Sequence, residues 1–138
     1  MVDSGENSIE YTRYLNIDDI GMDDDGRYQL RTQLGAIHLS RAGQVHGGMI
    51  FSMLDAAMGR AAMHHFDNRC FCPTVELKIN YFPPVATGEL RAWGQVINSS
   101  RHLCYVAGEV SNQAGKRIAR ASGSFFVKPR DPNGTAAQ

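Results

Sequence analysis

The sequence has no excess charge of either sign, since 14 lysine and arginine residues balance 14 aspartate and glutamate residues. The basic residues are also unclustered, so the sequence indicates no surface of the kind that binds nucleic acid. No apolar run is long enough to span a bilayer, and the acidic start lacks the layout of a signal peptide. We therefore predict neither a nucleic-acid nor a membrane partner, and we expect a cytoplasmic location.

Cysteine is scarce as well. The chain has three cysteines, namely Cys70, Cys72 and Cys104. Their odd number and irregular spacing indicate free thiols in a reducing compartment. A zinc hypothesis arises because His64-His65 and Asp67 precede two of the cysteines. However, the spacing lacks a Cys-x-x-Cys pair, and adjacent histidines project to different sides of a helix. We predict no metal and no cofactor.

The sequence does contain one long helical pattern. Apolar residues recur at helical spacing within residues 45–63, at Ile50, Met53, Leu54, Ala57 and Ala61. This periodicity predicts a helix from about Gly47 to Phe66. A glycine pair stands at its start, where free backbone N–H groups and the helix dipole can stabilise a negatively charged oxygen. A lone carboxylate, Asp55, follows two turns later among apolar neighbours, where an acid needs a partner.

Alternating residues predict strands on both sides of this helix. The predicted strands are 27–34, 74–82, 89–97, 103–111 and 117–128, and residues 9–15 could form a short helix. The strand 74–82 alternates most cleanly and is predicted to be half-buried. Short polar turns favour an antiparallel meander after the helix, so the predicted fold class is α+β. We expect a single domain, 9–130, between loose segments 1–8 and 131–138.

The motif His46-Gly47-Gly48 is followed by Asp55, nine positions after the histidine, and by a helix of small residues. Together with the downstream strands, this pattern resembles the hotdog-fold acyl-CoA thioesterases of the PaaI-like, phenylacetate-pathway group. The resemblance extends from about Leu15 to Pro129. It implies a hotdog fold, in which an antiparallel sheet wraps around one long helix. It also implies hydrolysis of an acyl-CoA substrate to a free acid and CoA.

The resemblance further implies roles for individual residues. The backbone N–H of Gly47 would stabilise the oxyanion, and Asp55 would activate water or attack the carbonyl itself. Thr74 aligns with the family's serine or threonine that positions the water or the carboxylate, although an ordinary strand threonine is the alternative. His46 would fix the loop or touch the thioester oxygen. Gly48 would serve packing and the tight entry into the helix.

Substrate contacts are predicted at further positions. Relatives often carry Asn or Gln six residues before the motif histidine, where this sequence has Ser40 with a shorter side chain. The candidates for the acyl pocket are Phe51, Met58 and Phe82. The candidates for contacts with the CoA phosphates are Arg101, His102, Lys128 and Arg130. Core packing and solvated surface charge are the alternative explanations for these two sets.

Helix geometry predicts an oligomer. Gly47 and Asp55 are eight positions apart, which is roughly 12 Å along a helix at 1.5 Å per residue. A carbonyl bound at Gly47 is therefore out of easy reach of Asp55 in the same chain. Two antiparallel helices related by a two-fold axis would place each Asp55 opposite the partner's Gly47. We predict a homodimer with two shared sites, which could pair further into a tetramer.

Two other functions stay open at this point. A hotdog dehydratase or hydratase would act on acyl thioesters with a histidine and an acid, but its histidine motif differs from His46-Gly47-Gly48. A non-catalytic domain that binds acyl-CoA would agree with the departure at Ser40, whereas Asp55 argues against it.

Overall fold

The computed structural model describes residues 10–130. The predicted loose segments 1–8 and 131–138, and the predicted helix start at residue 9, lie outside the described residues. The elements in chain order are α1 (Tyr11–Tyr14), β1 (Asp18–Met22), β2 (Tyr28–Gln33), a 3₁₀ turn (Ala36–His38), α2 (Gly47–His65), β3 (Cys70–Phe71), β4 (Thr74–Tyr81), β5 (Glu89–Ser99), β6 (Leu103–Asn112), β7 (Arg117–Phe126) and β8 (Lys128–Pro129).

Six strands form one antiparallel sheet in the order β1-β2-β5-β6-β7-β4, and β3 pairs with β8 separately. Helix α2 packs along one face of the large sheet and contacts five of its strands, from β2 to β4. The predicted α+β class and the hotdog arrangement are therefore confirmed, since one long helix lies against an antiparallel sheet. Neither described helix is long and apolar enough to cross a membrane.

The position of β4 differs from the predicted meander. A meander would place β4 beside β5, but β4 pairs with β7 at the edge of the sheet. The connection 82–88 contains Pro83-Pro84, which cannot donate ladder hydrogen bonds, so the chain leaves the sheet before β5 begins. Because its outer edge has no neighbour among residues 10–130, β4 is mostly exposed rather than half-buried.

Three short strands were also missed by sequence patterning, including β8, because the predicted strand 117–128 ends at Phe126 as β7 and the chain then pairs with β3. Strand β1 has the sequence Asp-Asp-Ile-Gly-Met, in which acidic residues and a glycine hide any alternation. Its Gly21 adopts a left-handed conformation (φ 100°) beside a shift of register. Strand β3 has only two residues and is too short to show a period.

Glycines in the sheet allow α2 to approach it closely. Gly94 on β5 lies opposite Gly108 on β6. A Cβ on Gly94 would lie 2.6 Å from the Cα of Met58 and from the carbonyl oxygen of Ala57, far closer than real Cβ atoms lie. Small residues on α2, such as Ala57, and the glycines of the sheet together permit this close packing. Met58 is fully buried here. Its burial favours core packing over contact with an acyl group.

A buried histidine fixes the loop that leads into α2. The Nδ1 of His38 accepts a hydrogen bond from the N–H of Gly35 at 2.9 Å, so its Nε2 donates to the carbonyl of Leu15 at 2.7 Å. The carbonyl of His38 in turn accepts the N–H of His46 at 2.8 Å. This residue, to which the sequence assigned no role, joins the N-terminal segment to the start of the helix.

Candidate active site

Helix α2 begins with a cap from the motif histidine. The backbone of His46 is extended (φ −68°, ψ 136°), and its Nδ1 accepts a hydrogen bond from the N–H of Gly48 at 2.8 Å. A neutral imidazole in this arrangement carries its proton on Nε2, which remains available as a donor. The N–H of Gly47 has no hydrogen-bond acceptor among residues 10–130. It is a free donor at the positive end of the helix dipole.

The carbonyl groups of the glycine pair are each held by a side-chain hydroxyl. The Oη of Tyr81 donates to the carbonyl of Gly47 at 2.9 Å, and the Oγ of Ser52 donates to the carbonyl of Gly48 at 2.8 Å. The hydroxyl of Tyr11 lies 2.7 Å from the Oγ of Ser52 and extends this chain of contacts. The alternation of strand 74–82 gave no indication that Tyr81 contacts the motif.

The carboxylate of Asp55 has the partner that its apolar surroundings require. The Oγ1 of Thr74 donates a hydrogen bond to Oδ1 of Asp55 at 2.6 Å. This contact forms because β4 runs beside the N-terminal half of α2 and brings Thr74, its first residue, to the middle of the helix. Asp55 is half-buried, so its second oxygen remains available to a ligand. The structure thus brings together two of the predicted site residues.

Asp55 and Thr74 border a cavity of about 280 Å³. Its apolar wall comes from the following half of α2 and from the segment around β3, namely Ala56, Gly59, Met63, Phe71, Cys72 and Pro73. These residues differ from the predicted acyl pocket, because the sequence could not show that the segment after α2 folds back over the helix.

Three polar residues complete the lining of this cavity: Glu10, Thr12 and Arg60. Arg60 donates to Oγ1 of Thr12 at 3.1 Å, and it lies 3.7 Å from a carboxylate oxygen of Glu10. Its Nε also lies 3.6 Å from Oδ2 of Asp19. The positive charge of Arg60 is therefore shared between two carboxylates, and one part of the cavity offers hydrogen-bonding groups rather than a free charge.

Cys72 contributes a thiol to the cavity wall. Burial, together with the neighbouring thiols of Cys104 and Cys70, raises its pKa to about 11. The thiol is therefore neutral near pH 7, and it is a poor nucleophile beside Asp55. All three cysteines are free, as predicted. Within residues 10–130, no three His, Cys, Asp or Glu side chains form a group that could hold a metal ion.

The remaining predicted residues lie outside this cavity. Ser40 closes a tight turn, in which its Oγ accepts the N–H of Ala42 at 3.2 Å. Phe51 and Phe82 are exposed apolar side chains, at 40% and 38% of their full areas. Arg101 is exposed in the turn between β5 and β6.

Arg130 has a direct link to the cavity. Its Nη2 lies 3.9 Å from Sδ of Met63, a residue of the cavity wall. Of the four basic candidates for CoA contacts, Arg130 therefore has a side chain that contacts the cavity wall.

A family model described as the thioesterase superfamily matches residues 42–119, which is more than half of the chain. The chain belongs to the thioesterase superfamily. The matched segment runs from the loop before α2 into β7, so it includes the motif glycines, Asp55 and Thr74. A relative from Saccharolobus solfataricus, named a presumed esterase, is 33% identical over 87 residues. That match covers 63% of this chain and 61% of the relative, so it spans less than two thirds of the relative's length.

Solved structures of other proteins share this fold. A Bacillus halodurans protein whose structure contains CoA has a TM-score of 0.80 and 28% identity, covering 89% of this chain and 81% of that chain. The Escherichia coli PaaI protein of the phenylacetic acid degradation operon has a TM-score of 0.76 and 26% identity, covering 84% and 82%. The resemblance to the PaaI-like group is confirmed.

Proposed function

We propose that this member of the thioesterase superfamily is an acyl-CoA thioesterase, which hydrolyses an acyl-CoA to a free acid and CoA. The observation that carries the proposal is the pair of groups on α2. The N–H of Gly47 has no acceptor in the described part of the chain, and the carboxylate of Asp55 is held by Thr74 at the border of a cavity. The CoA found in the Bacillus halodurans structure supports this ligand class.

In the proposed reaction, which uses the dimer proposed below, the N–H of the partner's Gly47 donates to the thioester carbonyl and stabilises the negative charge that develops on its oxygen. Asp55 takes the proton of a water that attacks the carbonyl carbon, or it attacks that carbon itself to form a mixed anhydride, which a water then hydrolyses to the free acid. The carbon–sulfur bond then breaks and CoA leaves as a thiolate, which needs no strong general acid. Thr74 positions the carboxylate by its hydrogen bond to one oxygen, so that the other oxygen faces the reaction.

We propose that the acyl group enters the cavity beside Asp55. An apolar protein cavity of about 150 Å³ is large enough for benzene, so about 280 Å³ has room for an aryl or short acyl group. The apolar wall would bury such a group, and the polar side formed by Thr12 and Arg60 would limit its length. Ser40, Phe51, Phe82 and Arg101 remain predicted contacts of the rest of the substrate.

We further propose a homodimer with two shared sites. The outer edge of β4 is unpaired in the described chain, and exposed apolar side chains lie along it, such as Val75 at 48% and Tyr81 at 50%. A long exposed edge of this kind is a template for pairing with another strand. If β4 pairs with the β4 of a second copy about a two-fold axis, the two α2 helices lie antiparallel on the same side of the joined sheet. Each Asp55 would then face the partner's Gly47.

Free cysteines agree with the cytoplasmic location that we propose.

The decisive experiment is thiol release from aryl, short-chain and long-chain acyl-CoAs by the wild type and by Asp55→Asn, corrected for the protein's own cysteines. We expect turnover by the wild type and a loss of at least about 100-fold in kcat for the variant, with substrate binding retained. A wild type that binds these substrates but hydrolyses none would overturn the proposal in favour of a non-catalytic acyl-CoA-binding domain.

Shared sites are tested by mixing two variants whose activity is strongly reduced but still measurable. Gly47→Pro removes the N–H and suits the helix start, because proline is favoured at the first position of a helix and the extended backbone of His46 suits the residue before a proline. The added Cβ would make an ordinary contact of 3.5 Å with the ring of Tyr81. A mixed dimer of Gly47→Pro and Asp55→Asn keeps one intact site if the site is shared. We expect about a quarter of wild-type activity after subunit exchange, since about half of the dimers are mixed. No recovery in demonstrably mixed dimers would show that each site lies within one chain.

A further inference from the structure

Helix α2 begins with two consecutive glycines, which make the backbone of its first turn flexible. Glycine loses more backbone freedom on ordering than any other residue, so Gly47 and Gly48 favour fraying of the first turn of α2. If the N–H of Gly47 is the oxyanion donor, its direction must nevertheless be fixed before the substrate arrives. Some other group therefore has to hold the glycine backbone in place.

The second glycine is held from two sides. The Nδ1 of His46 accepts its N–H at 2.8 Å, and the Oγ of Ser52 donates to its carbonyl at 2.8 Å. Among residues 10–130, the first glycine has no such cap on its N–H, which is the group that must stay free for the substrate. Its only side-chain hydrogen bond in the described part of the chain is the one from Tyr81.

Tyr81 holds Gly47 in two ways. Its hydroxyl donates to the carbonyl of Gly47 at 2.9 Å. Its ring covers the same residue, since a Cβ on Gly47 would lie 3.5 to 3.6 Å from Cζ, Oη and Cε1 of the tyrosine. Tyr81 is the last residue of β4, where it pairs with Ala119 of β7, so the sheet anchors the side chain. Partial burial raises the pKa of Tyr81, which keeps the phenol protonated and able to donate.

We propose that Tyr81 is a positioning residue, which fixes the orientation of the Gly47 N–H through its hydrogen bond to the carbonyl of the same glycine. This inference rests on the proposed thioesterase function. Holding the carbonyl and covering the α-carbon fixes the backbone angles of Gly47, and those angles set the direction of its N–H. The substrate makes no contact with the tyrosine hydroxyl in this role. The hydroxyl therefore affects the rate of the chemical step more than substrate affinity.

The test combines Tyr81→Phe with Gly47→Pro. Tyr81→Phe keeps the ring over Gly47 and removes only the hydroxyl, and we expect kcat to fall about 3- to 10-fold with KM changed less than about 2-fold. Gly47→Pro removes the N–H that Tyr81 is proposed to orient. In that background, we expect Tyr81→Phe to have no further effect on kcat, because the two changes act on one group. Tyr105→Phe, at a tyrosine of similar exposure on β6, is the matched control and should leave kcat unchanged.

The outcomes separate this inference from the proposed function. A wild type that hydrolyses no acyl-CoA overturns both. An active wild type whose kcat is unaffected by Tyr81→Phe overturns only the role of Tyr81. An equal loss of kcat in the wild-type and Gly47→Pro backgrounds also overturns it, because a general structural role would give that additive result. A melting temperature of Tyr81→Phe within about 2 °C of the wild type ensures that a loss of kcat is not a loss of folded protein.

Discussion

The hydroxyl of Thr74 donates a hydrogen bond to Oδ1 of Asp55 at 2.6 Å, which joins the first residue of β4 to the middle of α2. Hydrogen bonds to charged groups contribute about 1.5 to 3 kcal/mol, or roughly 10- to 100-fold in a rate that depends on them. We expect Thr74→Val to lose activity by about that factor and Thr74→Ser to retain most of it, as measured by kcat for thiol release. Thr87→Val, at an exposed threonine in the connection before β5, is the control. Equal activity of Thr74→Val and Thr74→Ser would make Thr74 an ordinary strand residue.

The order of the strands was the least predictable part of the fold. Helix α2 and strands β4 to β7 could be predicted because their periods are long and regular, and their observed bounds lie close to the expected ones. The place of β4 depends on which strand it pairs with across the sheet, and a local pattern contains no such information. Alternation in β4 could show which side chains share a face, but not that its outer edge is open.

The candidate site was predictable to the extent that it lies in one motif. Gly47 and Asp55 are found on one regular helix as expected, and the structure adds the contact of Asp55 with Thr74. Tyr81 could not be recognised, because its contact with Gly47 joins positions 34 residues apart. The cavity wall was missed for the same reason, since Phe71 and Pro73 reach Gly59 only through tertiary folding.

The two explanations for His46 give different results for two substitutions. Its Nδ1 caps the N–H of Gly48, and asparagine is a good substitute as a helix cap, whereas alanine is not. We expect His46→Ala to lose about 1 kcal/mol of folding stability together with activity. We expect His46→Asn to retain both, as measured by urea unfolding and by kcat. If His46→Asn is as stable as the wild type but loses more than about tenfold in kcat, the proton on Nε2 acts on the substrate.

Gly59 leaves open space in the cavity at the expense of helix stability. A Cβ at this position would make an ordinary contact of 3.6 Å with Cε2 of Phe125. Glycine inside a helix is less favourable than alanine by about 0.5 to 1 kcal/mol, so Gly59→Ala should raise the free energy of unfolding by about that amount. It should also narrow the cavity and lower kcat/KM for phenylacetyl-CoA relative to acetyl-CoA. An unchanged ratio in the stabilised variant would contradict the proposed place of the acyl group.

Close packing between α2 and the sheet depends on the glycines of β5 and β6. A Cβ on Gly94 would lie 2.6 Å from backbone atoms of the helix, whereas one on Gly35 would meet no atom within 4 Å. Because rigid backbone cannot move aside cheaply, we expect Gly94→Ala to destabilise the fold by about 1 to 3 kcal/mol. Gly35→Ala is the control and should change the free energy of unfolding by less than about 0.5 kcal/mol. Similar stabilities of the two variants in urea would show that α2 is free to move away from the sheet.

Alkaline pH should lower the free energy of unfolding, because a thiol and a phenol have raised pKa values in the folded protein. Burial raises the pKa of Cys72 to about 11, and burial together with Asp19 raises the pKa of Tyr28 to about 12. Both groups are neutral when protonated, and both ionise at lower pH in the unfolded chain than in the folded one. The stability that they contribute is therefore complete below about pH 9 and is lost as the pH rises through about 11 for Cys72 and about 12 for Tyr28. We expect the free energy of unfolding to fall over this interval, with about 2 kcal/mol of the fall due to Cys72. The urea midpoint of unfolding should fall between pH 8 and pH 11 in both proteins. The fall should be smaller for Cys72→Ala than for the wild type. An equal fall in both proteins would show that ionisation of this thiol is not linked to unfolding.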